Sequence, residues 1–358
     1  MKMEREAQLA RFAANAVFVR CERYGAGHIN STYLAAADNG KKYILQRIND
    51  HVFSDVQRLM ENITAVTEHI RARTQDPRSA PAFIPTTDGK LWFRDAEGCW
   101  RMQEFEENTI CLQRAETPED FRESAVAFGR FQRLLSDFPA ERLHETIPNF
   151  HNTPDRFRIL EETVRRDPMG RVKNVLREID YALSQKDTVS QLQKLRDDGT
   201  LPVRVTHNDT KLNNVLFDAA TRKAVCVIDL DTVMPGLSLY DFGDAIRFGA
   251  VCGAEDERDP DRVSFSSELF RVYTNGYLSA CGKELTREEL ELLPLGALTI
   301  TMECGVRFLT DYLDGDRYFA TTRAEQNLDR ARTQFKLYAD MRKQEHTMHT
   351  AVKEELLL

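Results

Sequence analysis

The hydrophobic pattern of this chain changes period once, near Phe105, and that change constrains the fold more than any other feature. Before it, apolar residues sit in short runs parted by glycine and asparagine turns; after it they recur at helical spacing. Residues 17–24, 32–37 and 42–48 read as strands, with Asp38-Asn39-Gly40 turning the last hairpin. A helix is predicted over 54–73, with Ser54 as N-cap and Val56, Leu59, Met60, Ile63, Val66 and Ile70 on its apolar face. Strands over 91–93 and 100–105 close the unit. Beyond it, Thr117-Pro118-Glu119-Asp120 combines a cap, an N1 proline and acidic first-turn residues, and so opens a helix. Further helices are expected over 155–166, 171–185 and 189–198, another from the capping box at Thr286, and a core helix over 295–313. The first 20 residues have amphipathic helical character, and those beyond about 340 are expected to fray. The expected class is α+β and bilobal. A small β-rich N-lobe (1–105) joins a larger, mainly α-helical C-lobe (106–358), with a ligand cleft between them.

Composition narrows the partners. Of 358 residues, 42% are hydrophobic, enough for two lobe cores. Forty-nine basic against 57 acidic side chains leave a formal charge of -8, no footprint for nucleic acid. No apolar run approaches the roughly 20 residues that span a bilayer, and the N-terminus lacks the apolar centre of a signal peptide. The seven cysteines are scattered without a CxxC pair, which predicts free thiols, no zinc site and a cytoplasmic location.

Inside the helical part lies a strand–loop–strand block over 203–231. Its loop carries His207-Asn208-Asp209-Thr210-Lys211-Leu212-Asn213-Asn214, and its last strand ends in Ile228-Asp229-Leu230-Asp231. Phosphoryl transfer needs an acceptor for a hydroxyl proton, and oxygen ligands for the Mg2+ that bridges nucleotide phosphates. Asp209 fits the first need, Asn214 and Asp229 the second, and Lys211 is placed to steady a phosphate. Asp and Asn also form turns by themselves; the joint spacing between flanking strands selects the chemical reading. Gly25 and Gly27 would let backbone amides approach phosphates, and His28 and Asn30 follow them. Asp241 is read as a brace for the catalytic loop, and Asp244–Arg247 as an exposed helix ion pair of about 0.3–0.5 kcal/mol.

His207-x-Asp209-x-x-x-x-Asn214 with Ile228-Asp229 resembles the aminoglycoside phosphotransferase and choline kinase families, relatives of protein kinases. Longer strings are similar to the N-acetylhexosamine 1-kinase family: 25–33, 43–46, 204–214, 228–236, 241–249, 301–309 and 311–316. The resemblance implies a protein-kinase-like fold that uses ATP and Mg2+ on a small-molecule sugar. It puts adenine near Gln103-Glu104-Phe105, and has His28, Asn30, Arg307 and Tyr318 hold the sugar while Asp209 faces its anomeric hydroxyl. Where kinases carry a strand lysine paired to a helix glutamate, this chain offers Gln46 or Arg47 and no lysine; the sugar-kinase family it resembles also carries glutamine there. Glu303 and Arg307, four apart on one helix face, also fit a plain salt bridge. Two rival readings stay open: a kinase of amino-alcohol or aminoglycoside hydroxyls, and a nucleotide-binding pseudokinase.

Overall fold

The computed structural model describes residues 4–25 and 29–357. In the N-terminal lobe α1 (Glu6–Leu9) precedes β1 (Phe18–Arg23), β2 (Ser31–Ala37) and β3 (Lys42–Ile48). Then come α2 (Val56–Ala72), β4 (Phe93–Asp95) and β5 (Gly98–Glu104). The strands form one antiparallel sheet in the order β1-β2-β3-β5-β4. Side chains alternate across a strand, so Tyr33, Leu45, Trp100 and Met102 share one face and are buried there with Leu9 and Phe12. On the opposite face Ile48 and Cys99 pack with Leu59, Met60 and Ile63 of α2. Register sets Thr32, Gln46 and Arg101 side by side on three adjoining strands of that face.

The C-terminal lobe begins with β6 (Thr109–Cys111) and α3 (Pro118–Leu134), followed by α4 (Thr153–Arg166), α5 (Leu176–Val189) and α6 (Gln191–Asp197). Four short strands follow: β7 (Arg204–Thr206), β8 (Val215–Asp218), β9 (Ala224–Val227) and β10 (Met234–Gly236). After α7 (Ser238–Gly249) a two-residue strand pair, β11 (Val251–Cys252) and β12 (Ser264–Phe265), leads to α8 (Ser267–Cys281). The helices α9 (Arg287–Glu291), α10 (Leu293–Asp314), α11 (Gln326–Lys343) and α12 (Glu345–Leu356) complete it. α7 and α10 meet backbone to backbone, since a Cβ on Gly243 would stand 2.4 Å from the Gly296 carbonyl oxygen. That contact sets the depth at which α7 lies under the catalytic loop.

Several expectations are corrected. Asp55, not Ser54, caps α2: its carboxylate accepts the N3 amide of Arg58 at 3.1 Å. The amphipathic N-terminus is helical only over Glu6–Leu9, because Phe12 bridges Thr86 and Ala13 N–H binds Pro85 O, drawing the chain onto the lobe. The C-terminus does not fray; α12 buries Met348, Ala351 and Val352 in the main core. The helix expected over 171–185 starts as a 3-10 turn, Val172–Asn174, before α5. β6 and β10 were not foreseen, and they decide which strands pair. β7 pairs with β10, whereas β8 lies between β6 and β9. All seven cysteines are free, with Cys111 and Cys252 exposed.

Candidate active site

β7 delivers His207-Asn208-Asp209 into a loop that α7 holds from below. Asp241, in the first turn of α7, accepts the backbone N–H of His207 (2.9 Å) and of Asn208 (2.7 Å), and the amide of Gln132 (2.9 Å). Burial pushes its carboxyl above the usual range, against the pull of those amides. One turn on, Asp244 accepts Thr210 N–H at 2.9 Å while pairing with Arg247. This pair is buried and fastens the loop; it is not the exposed helix pair expected from spacing. His207 is fully buried, edge-on to Phe128 and Phe131, with Nε2 2.9 Å from Ile228 O and Nδ1 accepting Asp209 N–H at 3.3 Å. Asn208 takes the left-handed φ of 64° that turns the chain, its amide held by Thr232 O at 2.8 Å.

Asp209, Asn214 and Lys211 converge. Asn214 Nδ2 donates to the Asp209 carboxylate at 3.0 Å and to its carbonyl at 2.8 Å, and Lys211 Nζ stands 2.9 Å from Oδ1. The Asp209 side chain keeps 28% of its surface open. Burial would push its carboxyl up, but Lys211 and Asn214 outweigh that and hold it below the usual carboxylate range. Asp209 in turn raises the Lys211 ammonium. Asp229 reaches the site through the β8–β9 hairpin: Ile228 N–H binds Asn214 O at 2.9 Å, which sets Asp229 one residue beyond Asn214's partner. Its φ of 58° ends the strand and starts the 3-10 turn Leu230–Thr232. Asp229 is itself solvent-exposed. Desolvation by the protein around it, then the charges of Asp231 and Asp209, push its carboxyl up to about 7.

The expected nucleotide residues lie along the other wall. Gly25 has φ 73° with nothing within 4 Å of a would-be Cβ, so the dihedral and not crowding calls for glycine. Gly27 and His28 lie outside the described residues. Phe105 N–H binds Lys42 O at 3.1 Å, and its ring meets Tyr24 edge-on at 6.0 Å, bringing the glycine turn to the lobe connection. Gln103 pairs with Ile44 in the sheet. Gln46 is spent within the sheet: its oxygen accepts Arg101 Nε at 3.0 Å and its nitrogen donates to Thr32 at 3.2 Å. Asn30 is likewise engaged, donating to Asp231 at 2.6 Å and accepting Asn49 N–H at 3.0 Å.

Arg307 and Tyr318 come together, in a cavity whose lining does not include Asp209. The Arg307 guanidinium lies over Phe150 (5.1 Å), Phe319 (5.5 Å) and Tyr318 (5.8 Å), and no carboxylate among the described residues is within 4.0 Å of it. Glu303 turns instead to His151 Nδ1 (2.8 Å) and the Thr153 hydroxyl (2.6 Å), so the Glu303–Arg307 bridge does not form. With Arg156, Asp311 and Phe319, Arg307 and Tyr318 line a cavity of about 200 Å³. Phe150, whose ring lies under Arg307, also lines a second cavity of about 230 Å³ bounded by Asn208, Gly236 and Tyr240. A larger cavity of about 950 Å³ opens on the other flank of the loop, at Leu212, Arg247 and Phe248. Sequence reasoning missed Arg101 and took Asp244 for a surface residue; an arginine inside the apolar strand Cys99-Trp100-Arg101-Met102 was the available signal for the first.

The profile of the phosphotransferase enzyme family (APH) matches residues 20–279. Among solved structures, the fold is similar to an aminoglycoside phosphotransferase from Alicyclobacillus acidocaldarius (TM-score 0.63, 13% identity, 98% of this chain and 96% of that one). It is similar to an amicoumacin kinase in complex with AMP-PNP, Ca2+ and Ami (0.61, 13%, 92% and 90%). A microcompartment-associated aminopropanol kinase matches at TM-score 0.58 and 17% identity, over 96% of this chain and 97% of that one. No helix among the described residues is long and apolar enough to cross a membrane. With a β-sheet N-lobe, a helical C-lobe and the profile spanning most of its length, this chain belongs to the phosphotransferase enzyme family.

Proposed function

We propose that this chain transfers the terminal phosphoryl group of ATP, with Mg2+, to the anomeric hydroxyl of an N-acetylhexosamine such as GlcNAc or GalNAc, giving the 1-phosphate. The observation that carries the reaction type is the convergence of Lys211, Asp209 and Asn214 within 3.0 Å contacts, with Asp229 joined through Ile228. Asp209, kept ionised by Lys211, orients the acceptor hydroxyl and takes its proton. Asn214 fixes the carboxylate's rotation, and Asp241 and Asp244 hold the loop beneath it. Positioning of this kind is most of what a protein adds to phosphoryl transfer.

The donor set fits a hard dication. Asn214 Nδ2 is committed to Asp209, which leaves its Oδ1 for a cation, and Asp229 supplies a carboxylate whose ionised form a cation would favour. No group of three or more His, Cys, Asp or Glu side chains among the described residues is arranged as a metal cage. Two protein ligands completed by phosphate oxygens and water suit Mg2+. Such an ion would draw charge from the phosphate oxygens.

The sugar reading rests on the long sequence strings and on Arg307. Its guanidinium lies over aromatic rings with no carboxylate within 4.0 Å among the described residues, and beside Arg156 it offers N–H donors that suit carbonyl and hydroxyl oxygens. An amino-alcohol or aminoglycoside acceptor is the second reading, since similar folds include an aminopropanol kinase and an aminoglycoside phosphotransferase. Radiolabelled ATP with Mg2+ against a panel of N-acetylhexosamines, choline, aminopropanol and aminoglycosides separates them, with regiochemistry read from phosphorus–proton coupling. Label on the anomeric oxygen supports the proposal; label on amino-alcohols alone replaces it. Nucleotide binding without transfer to any acceptor points to a pseudokinase.

A further inference from the structure

We infer that Arg101, buried on β5, takes over the positioning task that a β3 lysine and a helix glutamate share in kinases. Neither half of that pair is present. Gln46 occupies the strand position, and the α2 glutamates, Glu61 and Glu68, are exposed, with Glu61 bonded to His144. In their place Arg101, 3% exposed, reaches across the cleft: Nη1 donates to Asp231 Oδ1 at 2.5 Å while Nε donates to Gln46 at 3.0 Å. The thioether of Met60 on α2 lies 3.9 Å from the same Nη1. The second Asp231 oxygen is taken by Asn30, at the end of the glycine turn, at 2.6 Å.

Asp231 is thus gripped by two separate pieces of the N-lobe, one on each oxygen. It stands two residues beyond Asp229, within the turn that Asp229 begins. The clamp therefore ties the glycine turn, β3 and β5 to the segment bearing the proposed cation ligand. The guanidinium donates from two separate nitrogens held in a fixed fork, which a lysine's single nitrogen cannot reproduce, so lysine would be a partial substitute. Arg101 spends Nε on Gln46 and Nη1 on Asp231, both within the protein. It is a positioning residue, and the lobes are registered before nucleotide arrives.

This inference rests on the nucleotide reading above, and the test separates the two. Titration calorimetry with AMP-PNP and Mg2+, with kcat, KM and melting temperature, is run on wild type, Arg101→Lys, Asn30→Ala and the double variant Arg101→Met/Asp231→Leu. The double variant removes both buried charges together and keeps apolar packing, so a fold can survive it. Loss of a partner that orients a ligand typically costs about 10–100-fold in affinity, and that loss is expected for the double variant at near-normal melting temperature. Arg101→Lys should recover part of it, and Asn30→Ala should raise the nucleotide KM with a smaller change in kcat. Wild-type affinity in a folded double variant, or in Asn30→Ala and Arg101→Lys together, overturns the clamp alone. Absence of AMP-PNP binding by the wild type overturns the nucleotide reading and the clamp with it.

Discussion

One nitrogen, Nδ2 of Asn214, binds both the carbonyl of Asp209 at 2.8 Å and its carboxylate at 3.0 Å. The five-residue spacing between them is therefore a closed loop, and it turns the amide oxygen of Asn214 away from Asp209. A single residue thus both fixes the proposed base and leaves an amide oxygen free for the proposed cation.

The charge on Lys211 holds Asp209 below the usual carboxylate range against the effect of burial. Lys211→Met removes that support, so the Asp209 carboxyl should rise. At saturating Mg2+ the acid limb of the kcat/KM profile should then move to higher pH. A limb that stays in place would show that another group governs it.

Asp229, pushed up to about 7, reports on folding as well as chemistry. A carboxyl with a raised folded-state pKa binds its proton more tightly folded than unfolded. Stability is then lost as pH rises from about 4, the unfolded value, to about 7, and levels off above. In metal-free buffer Asp229→Asn should melt higher than wild type at pH 8, with the gap closing by pH 4. Equal melting temperatures at both pH values would contradict the crowding of Asp229 by Asp231 and Asp209. The same substitution should abolish cation-dependent turnover.

The two-lobe division was legible because it rests on local signals: short strands between turns, the cap, N1 proline and acidic first turn at Thr117-Pro118-Glu119-Asp120, and the helical spacing over 54–73. The loop around Asp209 was legible because its chemistry is compressed into eight residues. What the sequence hid depends on distant partners. β10 forms only against β7, and α12 is held by burial that its charged sequence does not announce. Spacing suggested Glu303–Arg307, but the buried His151 and Thr153 outcompete a partner on the same helix. Arg101 and Asp231 are 130 residues apart, and no local pattern links them.

Asp241 satisfies three buried donors. Asp241→Ala orphans them, at about 1–3 kcal/mol for each group left unpaired. The variant should melt several degrees lower and lose kcat while the nucleotide KM changes little, because the loop moves but the opposite wall does not. Wild-type kcat would mean the loop is held by Asp244 and Thr232 alone.

The most direct measurement is single-turnover transfer from radiolabelled ATP by Asp209→Asn, alongside AMP-PNP affinity. An asparagine keeps the shape and cannot take a proton, and loss of a general base typically costs about 10²–10⁴-fold. The account predicts a transfer rate lowered by that order with nucleotide affinity preserved. A rate within a few-fold of wild type would contradict the assignment of Asp209 as the base.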